Sequence, residues 1–405
     1  MRPADLTLSA GPNDVSSGVR AATGAPILYH YDPVFKERFR ATEEKIGRIY
    51  GSASHEIILM QGEAILGLEA AARSLVRPGT KCLNLVSGVF GKGFGYWLSA
   101  IGAELHEIEV PYDQAVSAEA VETYLRANPG ITVVSVVHSE TPSGTLNPVW
   151  DIGPIARAHG AVTIVDVVSS LGGIELRPEE WQLDLLVAGP QKCLGGPPGM
   201  SLVAVNERAW AAIDANPDAP RDSFLSLLDW RDKWHGEGRF PYTPSVSDLH
   251  GVAAAADELL AEGLEAAIAR HERVFEACWA GVEAMGLRPW PASRDIASAC
   301  VSSIRVPDGL TDTQVRDHCR ERYGVQLSAG QGAGNIIRIG HMGATARPMY
   351  AVAGLAALGR TMADLGGPVD VGAGLEAAMA SLSASGTGDG ERELVGAGAG
   401  GGAAA

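Results

Sequence analysis

The fold of this chain is decided by residues 162–199, which read VTIVDVVSSLGGIELRPEEWQLDLLVAGPQKCLGGPPG. Two short apolar runs lie in this stretch, at residues 162–165 and 185–187, and such β-branched runs are typical of buried parallel strands. The first run is followed by Asp166, and the second leads through a Gly-Pro turn to Lys192. Because open α/β sheets bind ligands at the carboxyl ends of their strands, we expect Asp166 and Lys192 to meet at one sheet edge.

An acid and a lysine placed in this way match the needs of a pyridoxal ring. The lysine amine forms a Schiff base with the aldehyde, and the carboxylate keeps the pyridine nitrogen protonated so that the ring can accept electrons. Each residue alone has an ordinary structural explanation, the Asp as a helix N-cap and the Lys as a solvated loop charge. Their pairing, with Ser169 and Ser170 between them, favours a pyridoxal site.

On these residues the segment resembles the class V aminotransferases of the fold type I pyridoxal-phosphate group, with Lys192 in the place of their Schiff-base lysine and Asp166 beside the ring. The resemblance implies an α/β fold, in which a large domain holds a mostly parallel seven-stranded sheet between helices and a smaller α/β domain follows. The expected divisions are an N-terminal arm (1–34), a large pyridoxal-binding domain (35–250), a bridging helix with the small domain (251–375) and a disordered Gly/Ala-rich tail (386–405).

A second informative stretch is the loop after the predicted strand at residues 56–60. In phosphate-using members of the family this loop is small and neutral, and its amides cradle the phosphate at a helix N-terminus. Here the loop carries Glu63, which would be comfortable as a helix cap but would repel a phosphate dianion by several kcal/mol at short range. A neutral 5′-hydroxymethyl group can instead donate a hydrogen bond to Glu63. The loop therefore favours unphosphorylated pyridoxal.

This feature narrows the resemblance to family members that use unphosphorylated pyridoxamine and pyridoxal as substrates. It rests on the motifs at residues 62–71, 86–97, 108–112, 138–145, 240–247 and 338–343. It implies amino-group transfer between pyridoxamine or pyridoxal and pyruvate or alanine, in a homodimer or dimer of dimers with shared active sites. The alternative is a pyridoxal-phosphate-dependent alanine- or serine-glyoxylate aminotransferase. A cysteine desulfurase is disfavoured because the loop at residues 328–334 lacks cysteine, and a pyridoxal-sensing regulator because residues 1–34 are too few for a DNA-binding module.

The resemblance also implies a set of residues around the pyridoxal ring. Phe90 and Val168 would pack on its two faces, and Thr141 would hydrogen-bond on the side of its 3-oxygen. Gln191 would lie close to the hydroxymethyl group. The remaining predicted contacts of this group are Gly62, Glu63, Ala64 and Thr243, the last on a loop that in the family reaches the neighbouring subunit's site.

Arg338, on a predicted strand, matches the arginine that binds the substrate carboxylate in the family. Its guanidinium fork suits bidentate binding of a carboxylate. Pyridoxamine-using members have a second arginine in the preceding glycine loop, where this chain has Gln331. We therefore expect Arg338, Gln331 and Glu63 to contact substrate, with the identity of the keto acid open.

Composition excludes several other classes of protein. The 405 residues carry a formal charge of −16, which disfavours nucleic acid or an anionic membrane as partner. Five scattered cysteines without a CxxC pair indicate reduced thiols in a cytoplasm and no metal site. No apolar run reaches the length of a membrane span, and the N-terminus lacks the apolar core of a signal peptide. We expect a cytoplasmic protein that does not bind membranes.

Three expectations concern the connecting segments. The arm at residues 1–34 reads as loops, and residues 207–238 read as a Trp-rich helical region. A single long helix is expected over residues 246–285.

Overall fold

The structure is a computed structural model that describes residues 4–384. The predicted disordered tail at residues 386–405 lies outside this described part. The helices are α1 (Ser17–Thr23), α2 (Pro33–Tyr50), α3 (Ala64–Leu75), α4 (Val89–Ile101), α5 (Ala118–Ala127), α6 (Val149–Ala158), α7 (Glu207–Asp214), α8 (Leu227–Asp229), α9 (Val246–Glu262), α10 (Leu264–Ala284), α11 (Asp312–Tyr323), α12 (Pro348–Asp364) and α13 (Val371–Ala384). The strands are β1 (Leu6–Thr7), β2 (Glu56–Gln61), β3 (Lys81–Val86), β4 (Glu104–Glu109), β5 (Val133–Val137), β6 (Ser139–Glu140), β7 (Thr145–Leu146), β8 (Val162–Asp166), β9 (Leu185–Ala188), β10 (Met200–Val205), β11 (Val301–Arg305), β12 (Val325–Gln326), β13 (Ser328–Ala329) and β14 (Ile336–Gly340).

The central sheet has seven strands in the order β2-β10-β9-β8-β5-β3-β4. Strands β9, β8, β5, β3 and β4 pair in parallel, and β10 runs antiparallel to both of its neighbours. Every residue of β5, β8, β9 and β10 is buried, as expected for strands covered on both faces. The predicted α/β fold with a mostly parallel seven-stranded sheet is confirmed.

The strand order places the informative loops at one edge of this sheet. Strand β2 is antiparallel to β10, as is β9, so β2 and β9 end at the same edge. The segments that follow β2, β3, β5, β8 and β9 therefore all emerge where open α/β sheets bind their ligands.

One apolar core surrounds the central sheet, and a second lies mainly in the C-terminal part of the chain. It is formed by buried side chains from helices α10, α11, α12 and α13 and from strands β11, β12 and β14, together with Leu8 of the N-terminal segment. The three-stranded antiparallel sheet β11-β14-β13 belongs to this part of the chain. The division at residues 1–34, 35–250 and 251–375 stays a prediction.

The structure corrects the three expectations about connecting segments. The single helix predicted over residues 246–285 is two helices, because Gly263 between them has a φ of +92° that a helix does not allow. Residues 215–226 are not helical, and the following turn, Trp230–Gly236, is a π-helix. The arm at residues 1–34 contains α1 and β1, and β1 pairs with β12.

The π-helix carries a partly buried polar cluster beside its tryptophans. His235 lies between two carboxylates, with Nδ1 bonded to Glu56 at 2.5 Å and Nε2 to Glu43 at 3.1 Å. Phe240, at the start of the loop at residues 240–247, is buried and stacks on Trp234 with ring centroids 4.0 Å apart. No helix in the described part is long and apolar enough to cross a membrane.

Candidate active site

A cavity of about 320 Å³ opens at the carboxyl edge of the central sheet. Ten of the predicted site residues line it, from six separate segments of the chain: Glu63, Ala64, Phe90, Thr141, Asp166, Val168, Gln191, Lys192, Gln331 and Arg338. The tertiary structure thus brings together residues far apart in the sequence, while the chemical roles assigned to them stay predictions.

Asp166 and Lys192 enter the cavity from adjacent parallel strands. Asp166 ends β8 and its Oδ1 accepts the Val168 N–H at 2.8 Å, which fixes the carboxylate at the strand end. Burial raises the pKa of Asp166 to about 7. Burial lowers the pKa of Lys192 to about 8, and the charge of Arg338 adds to this effect. A cationic ring nitrogen beside Asp166 would restore its negative charge, because an opposite charge lowers the pKa of a carboxyl group.

The N-terminal segment contacts the lysine, which sequence reasoning missed. The Lys192 ammonium donates a hydrogen bond to the carbonyl oxygen of Ala10. Gly11 has a φ of +120°, and a Cβ at this position would overlap Lys192 Nζ. The amide of Ala10 binds Ser328 Oγ at 3.0 Å and that of Asn13 binds the Gln191 carbonyl at 3.3 Å. These contacts hold residues 10–13 between strand β13 and the loop that carries Lys192. The turn-forming residues at 10–13 were the only feature of the sequence that indicated this segment.

Glu63 sits at the N-terminus of α3 and has two partners. Its Oε2 accepts the Ile65 N–H at 2.9 Å, and its Oε1 accepts Gln191 Nε2 at 2.6 Å. Ser201 on strand β10 holds the loop at residues 62–63. Its hydroxyl shares its proton between the carbonyl oxygens of Gly62 and Glu63, at 3.0 and 2.9 Å. Glu63 is thus both a helix cap and part of a polar pair with Gln191, and it is exposed to solvent.

Gln191 is left with an unsatisfied acceptor. Its Nε2 faces the Glu63 carboxylate, which accepts but does not donate, so the orientation of the carboxamide is fixed. Its Oε1 is buried and has no hydrogen-bond partner within the described residues. Buried polar atoms without partners are costly, and this one marks a place where a ligand's hydroxyl group could donate.

Phe90, Val168 and Thr141 form the walls between these polar groups. Phe90 lies in the first turn of α4 and is 39% exposed, so it is not a residue of the hydrophobic core. Thr141 is buried, and its hydroxyl bonds that of Ser169, another lining residue. The walls thus combine an aromatic ring, an aliphatic side chain and hydroxyl groups, a mixture that suits a flat heteroaromatic ligand.

Arg338 provides a buried cation in the lining of the cavity. It is 3% exposed, its Nε donates to the Ala329 carbonyl at 2.6 Å, and it forms no ion pair with a carboxylate within residues 4–384. Burial lowers its pKa to about 10. Gln331 lines the cavity from the glycine loop with a φ of +49°, a conformation rare for residues other than glycine. A buried arginine without an acidic partner is suited to a carboxylate ligand.

Two predicted site residues do not line this cavity. Gly62 lies next to Glu63 and supplies a carbonyl in the anchored loop. Thr243 is exposed, and its predicted contact is with another subunit's site, so it stays a prediction. The lining residues that sequence reasoning did not assign are Ala10, Gly11, Pro12, Ile65, Leu68, Val137, Ser139, Ser169 and Pro198.

The residues present fit a pyridoxal ring. The cavity combines a lysine of lowered pKa, an acid at a strand end, an aromatic wall and an unsatisfied amide oxygen. The described residues contain no cluster of three or more His, Cys, Asp or Glu side chains that could hold a metal ion.

Comparison with known proteins agrees with this geometry. The class-V aminotransferase family model matches residues 20–349, and the chain belongs to this family. It is an aminotransferase, and family membership implies dependence on a pyridoxal group.

Individual relatives cover nearly the whole chain. A pyridoxamine–pyruvate transaminase of Mesorhizobium japonicum is 48% identical over 377 residues, which cover 93% of this chain and 96% of that protein. The crystal structure of a pyridoxamine–pyruvate aminotransferase from Mesorhizobium loti superposes with a TM-score of 0.92 at 47% identity, covering 95% of this chain and 98% of the other. An L-aspartate–glyoxylate aminotransferase of Paracoccus denitrificans is 33% identical, covering 91% of this chain and 93% of that protein.

Proposed function

We propose that this protein transfers an amino group between pyridoxamine or pyridoxal, bound unphosphorylated as substrates, and pyruvate or alanine. The observation that carries the proposal is the Glu63–Gln191 pair at the N-terminus of α3. The 48% identity to a pyridoxamine–pyruvate transaminase also supports it.

The Glu63–Gln191 pair favours a hydroxymethyl group over a phosphate. A carboxylate and an unsatisfied amide oxygen are both hydrogen-bond acceptors, so a ligand is best held there by a group that donates. A hydroxymethyl group can donate its proton, whereas a phosphate dianion brings only acceptors and negative charge. The Ile65 amide in the first turn of α3, which could have bound a phosphate oxygen, is already bonded to Glu63. This end of the cavity therefore selects against phosphate.

The other lining residues would hold the ring. Asp166 would bind the pyridine nitrogen, Phe90 and Val168 would pack on the two faces, and Thr141 would lie near the 3-oxygen. When bound, pyridoxal supplies an electron sink that stabilises negative charge on the carbon losing a proton. Asp166 is fixed at the end of β8, so it would hold the ring nitrogen at the sheet edge.

Lys192 would supply the amine that binds pyridoxal and would then move the proton. A lysine acts as a base only when its amine is neutral, and the pKa of about 8 leaves a useful neutral fraction near neutral pH. Its hydrogen bond to the Ala10 carbonyl holds the amine at the cavity wall. The same side chain can thus accept a proton from one substrate carbon and return it to another.

Arg338 would bind the carboxylate of the amino or keto acid, and Gln331 would contact the substrate beside it. Within the described cavity lining, Arg338 and Lys192 are the two basic side chains. Because Lys192 is needed for the amine chemistry, Arg338 alone is available for a carboxylate. This arrangement favours a keto acid with one carboxylate, such as pyruvate, over a dicarboxylic acid.

We propose further that the enzyme is a homodimer, or a dimer of dimers, in which Thr243 reaches the neighbouring site. Exposed Tyr29 and Ile27 on the arm support a contact with another subunit. Five unpaired, buried cysteines support a cytoplasmic location. Breakdown of vitamin B6, in the direction of pyridoxamine to pyridoxal, fits the proposed substrates.

One observation favours a second candidate, a pyridoxal-phosphate-dependent alanine- or serine-glyoxylate aminotransferase. Glu63 does bind the amide of Ile65 as an ordinary helix cap would, and it is exposed, so it could swing away from a phosphate. In that case the pyridoxal phosphate would be a resident cofactor rather than a substrate.

A paired assay with ligand-free protein separates the two candidates. One arm supplies pyridoxamine with pyruvate, and the other supplies alanine with glyoxylate and added pyridoxal phosphate. Turnover confined to the first arm supports the proposal. Turnover confined to the second, with tight binding of the phosphate form, would show that Glu63 is only a helix cap and that the proposal is wrong.

A further inference from the structure

Glu140 is a buried carboxylate next to the cavity to which the proposed mechanism gives no role. It ends the short strand β6, and its neighbours Ser139 and Thr141 both line the cavity. Glu140 is fully buried and forms no ion pair within residues 4–384. A buried carboxylate is expensive unless strong hydrogen bonds offset its desolvation, so its partners reveal what it does.

The partners of Glu140 are the first amides of helix α4. Its Oε1 accepts the N–H of Gly91 at 2.6 Å, and its Oε2 accepts the N–H of Phe90 at 3.3 Å. The N-cap residue of this helix is Gly88, which has no side chain with which to cap it. Glu140 therefore supplies, from a neighbouring strand, the cap that α4 lacks.

The backbone is built closely around this carboxylate. A Cβ at Gly88 would lie 2.5 Å from Glu140 Cδ and 2.6 Å from Oε2. A Cβ at Gly91 would lie 3.2 Å from Oε1 and 2.9 Å from the Leu85 carbonyl oxygen. The carboxylate is therefore packed tightly against the start of α4.

We propose that Glu140 is a positioning residue of the transamination, because its carboxylate fixes the first turn of α4 and with it the Phe90 ring at the cavity wall. Phe90 is both a hydrogen-bond partner of Glu140 through its backbone and a lining residue through its ring. The inference rests on the proposed function, since it concerns how the pyridoxal site is shaped. Glu140 itself does not touch substrate and acts through Phe90.

Two pairs of variants test this role. Gly88→Ala pushes the carboxylate aside while keeping every polar group, and its control is Gly93→Ala in the same helix, where a Cβ would meet nothing within 4 Å. Glu140→Gln leaves one oxygen for two amides, so one backbone N–H would face an NH₂ donor. Its control is Glu43→Gln, which changes another buried carboxylate, bonded to Trp234 and His235 away from the cavity.

The readouts are the Kd for pyridoxal from absorbance, KM for each substrate, and hydrogen exchange at the start of α4. Burial raises the pKa of Glu140 to about 7, so the assays are run at about pH 8.5, where the carboxylate is ionised. Gly88→Ala and Glu140→Gln should each weaken pyridoxal binding about fivefold or more and speed exchange at residues 89–92. KM for pyruvate, which Arg338 would bind, should stay within about twofold.

Several results would overturn the inference. Wild-type pyridoxal affinity in both Gly88→Ala and Glu140→Gln would do so, as would an equal rise in KM for both substrates, which indicates general damage to the site. Equal losses of pyridoxal binding in the control variants would have the same meaning. If Glu140→Gln does not fold, Gly88→Ala against Gly93→Ala decides. If the wild-type protein binds only pyridoxal phosphate, the proposed function fails, and the role of Glu140 is then tested by the Kd of the same variants for pyridoxal phosphate.

Discussion

Replacement of Glu63 by glutamine should change the affinities for pyridoxal and pyridoxal phosphate in opposite directions. The substitution keeps the size of the side chain and an oxygen that can accept the Ile65 N–H, but it removes the negative charge. It also replaces the carboxylate that accepts Gln191 Nε2 at 2.6 Å with a group that both donates and accepts. Opposite signs for two ligands that differ only in the phosphate cannot arise from a general loss of stability.

The magnitude follows from Coulomb's law. With about 5 Å between the charges, the repulsion per unit charge is roughly 3 kcal/mol at an effective dielectric constant of about 20 and roughly 0.8 kcal/mol in bulk water. Because Glu63 is exposed, the true value lies between these limits, and a dianion about doubles it. The lower limit, doubled for the dianion to roughly 1.6 kcal/mol, corresponds to about a fifteenfold tighter Kd for pyridoxal phosphate in the variant. Pyridoxal should bind about fivefold more weakly, since its hydroxyl loses a charged acceptor.

The assay is absorbance titration of ligand-free protein with each compound, and the matched control is Asp32→Asn. Asp32 caps α2 with the same geometry, its Oδ1 accepting the Val34 N–H at 2.8 Å, and it does not line the cavity. The control should leave both affinities unchanged. An unchanged affinity for pyridoxal phosphate in Glu63→Gln, or a parallel loss for both ligands, would refute the electrostatic explanation of selectivity.

Three further predictions concern the lysine, the carboxylate site and pH. Gly11→Ala, whose Cβ would overlap Lys192 Nζ, should weaken pyridoxal binding at least about tenfold by absorbance titration. The control Gly79→Ala, with φ +82° but open space around its Cβ, should leave pyridoxal binding unchanged. Equal losses of binding in the two variants would assign the effect to backbone strain. Arg338→Lys should raise KM for pyruvate about tenfold or more in steady-state assays, because the bidentate fork is lost, and a matching rise for pyridoxamine would contradict this role. Burial opposes the charge of His235, but its two carboxylate partners raise its pKa to about 9. The contribution of charged His235 to the free energy of unfolding is therefore full below about pH 6.5 and is lost as the pH rises through 9. Urea unfolding across that range should show this decline in the free energy of unfolding, and the decline should be absent in His235→Gln.

Much of the fold could be read from local sequence. The apolar runs at residues 162–165 and 185–187 predicted β8 and β9 closely, because a strand buried on both faces must be apolar throughout. The break at Gly263 was missed, since apolar spacing continues across it and only the backbone conformation shows that the helix ends.

The sequence by itself determined the chemical groups of the site, namely Lys192, Asp166, Glu63 and Arg338. Their types, and their places on or just after predicted strands, are local properties of the chain, and parallel pairing carries the strand ends of the central sheet to one edge. The contacts that tune these groups were decided only by the tertiary structure. The Ala10 carbonyl meets Lys192 across 182 positions of sequence, and Glu140 binds the start of α4 from 49 positions away. No local pattern encodes such contacts, because they exist only after separate segments have packed together.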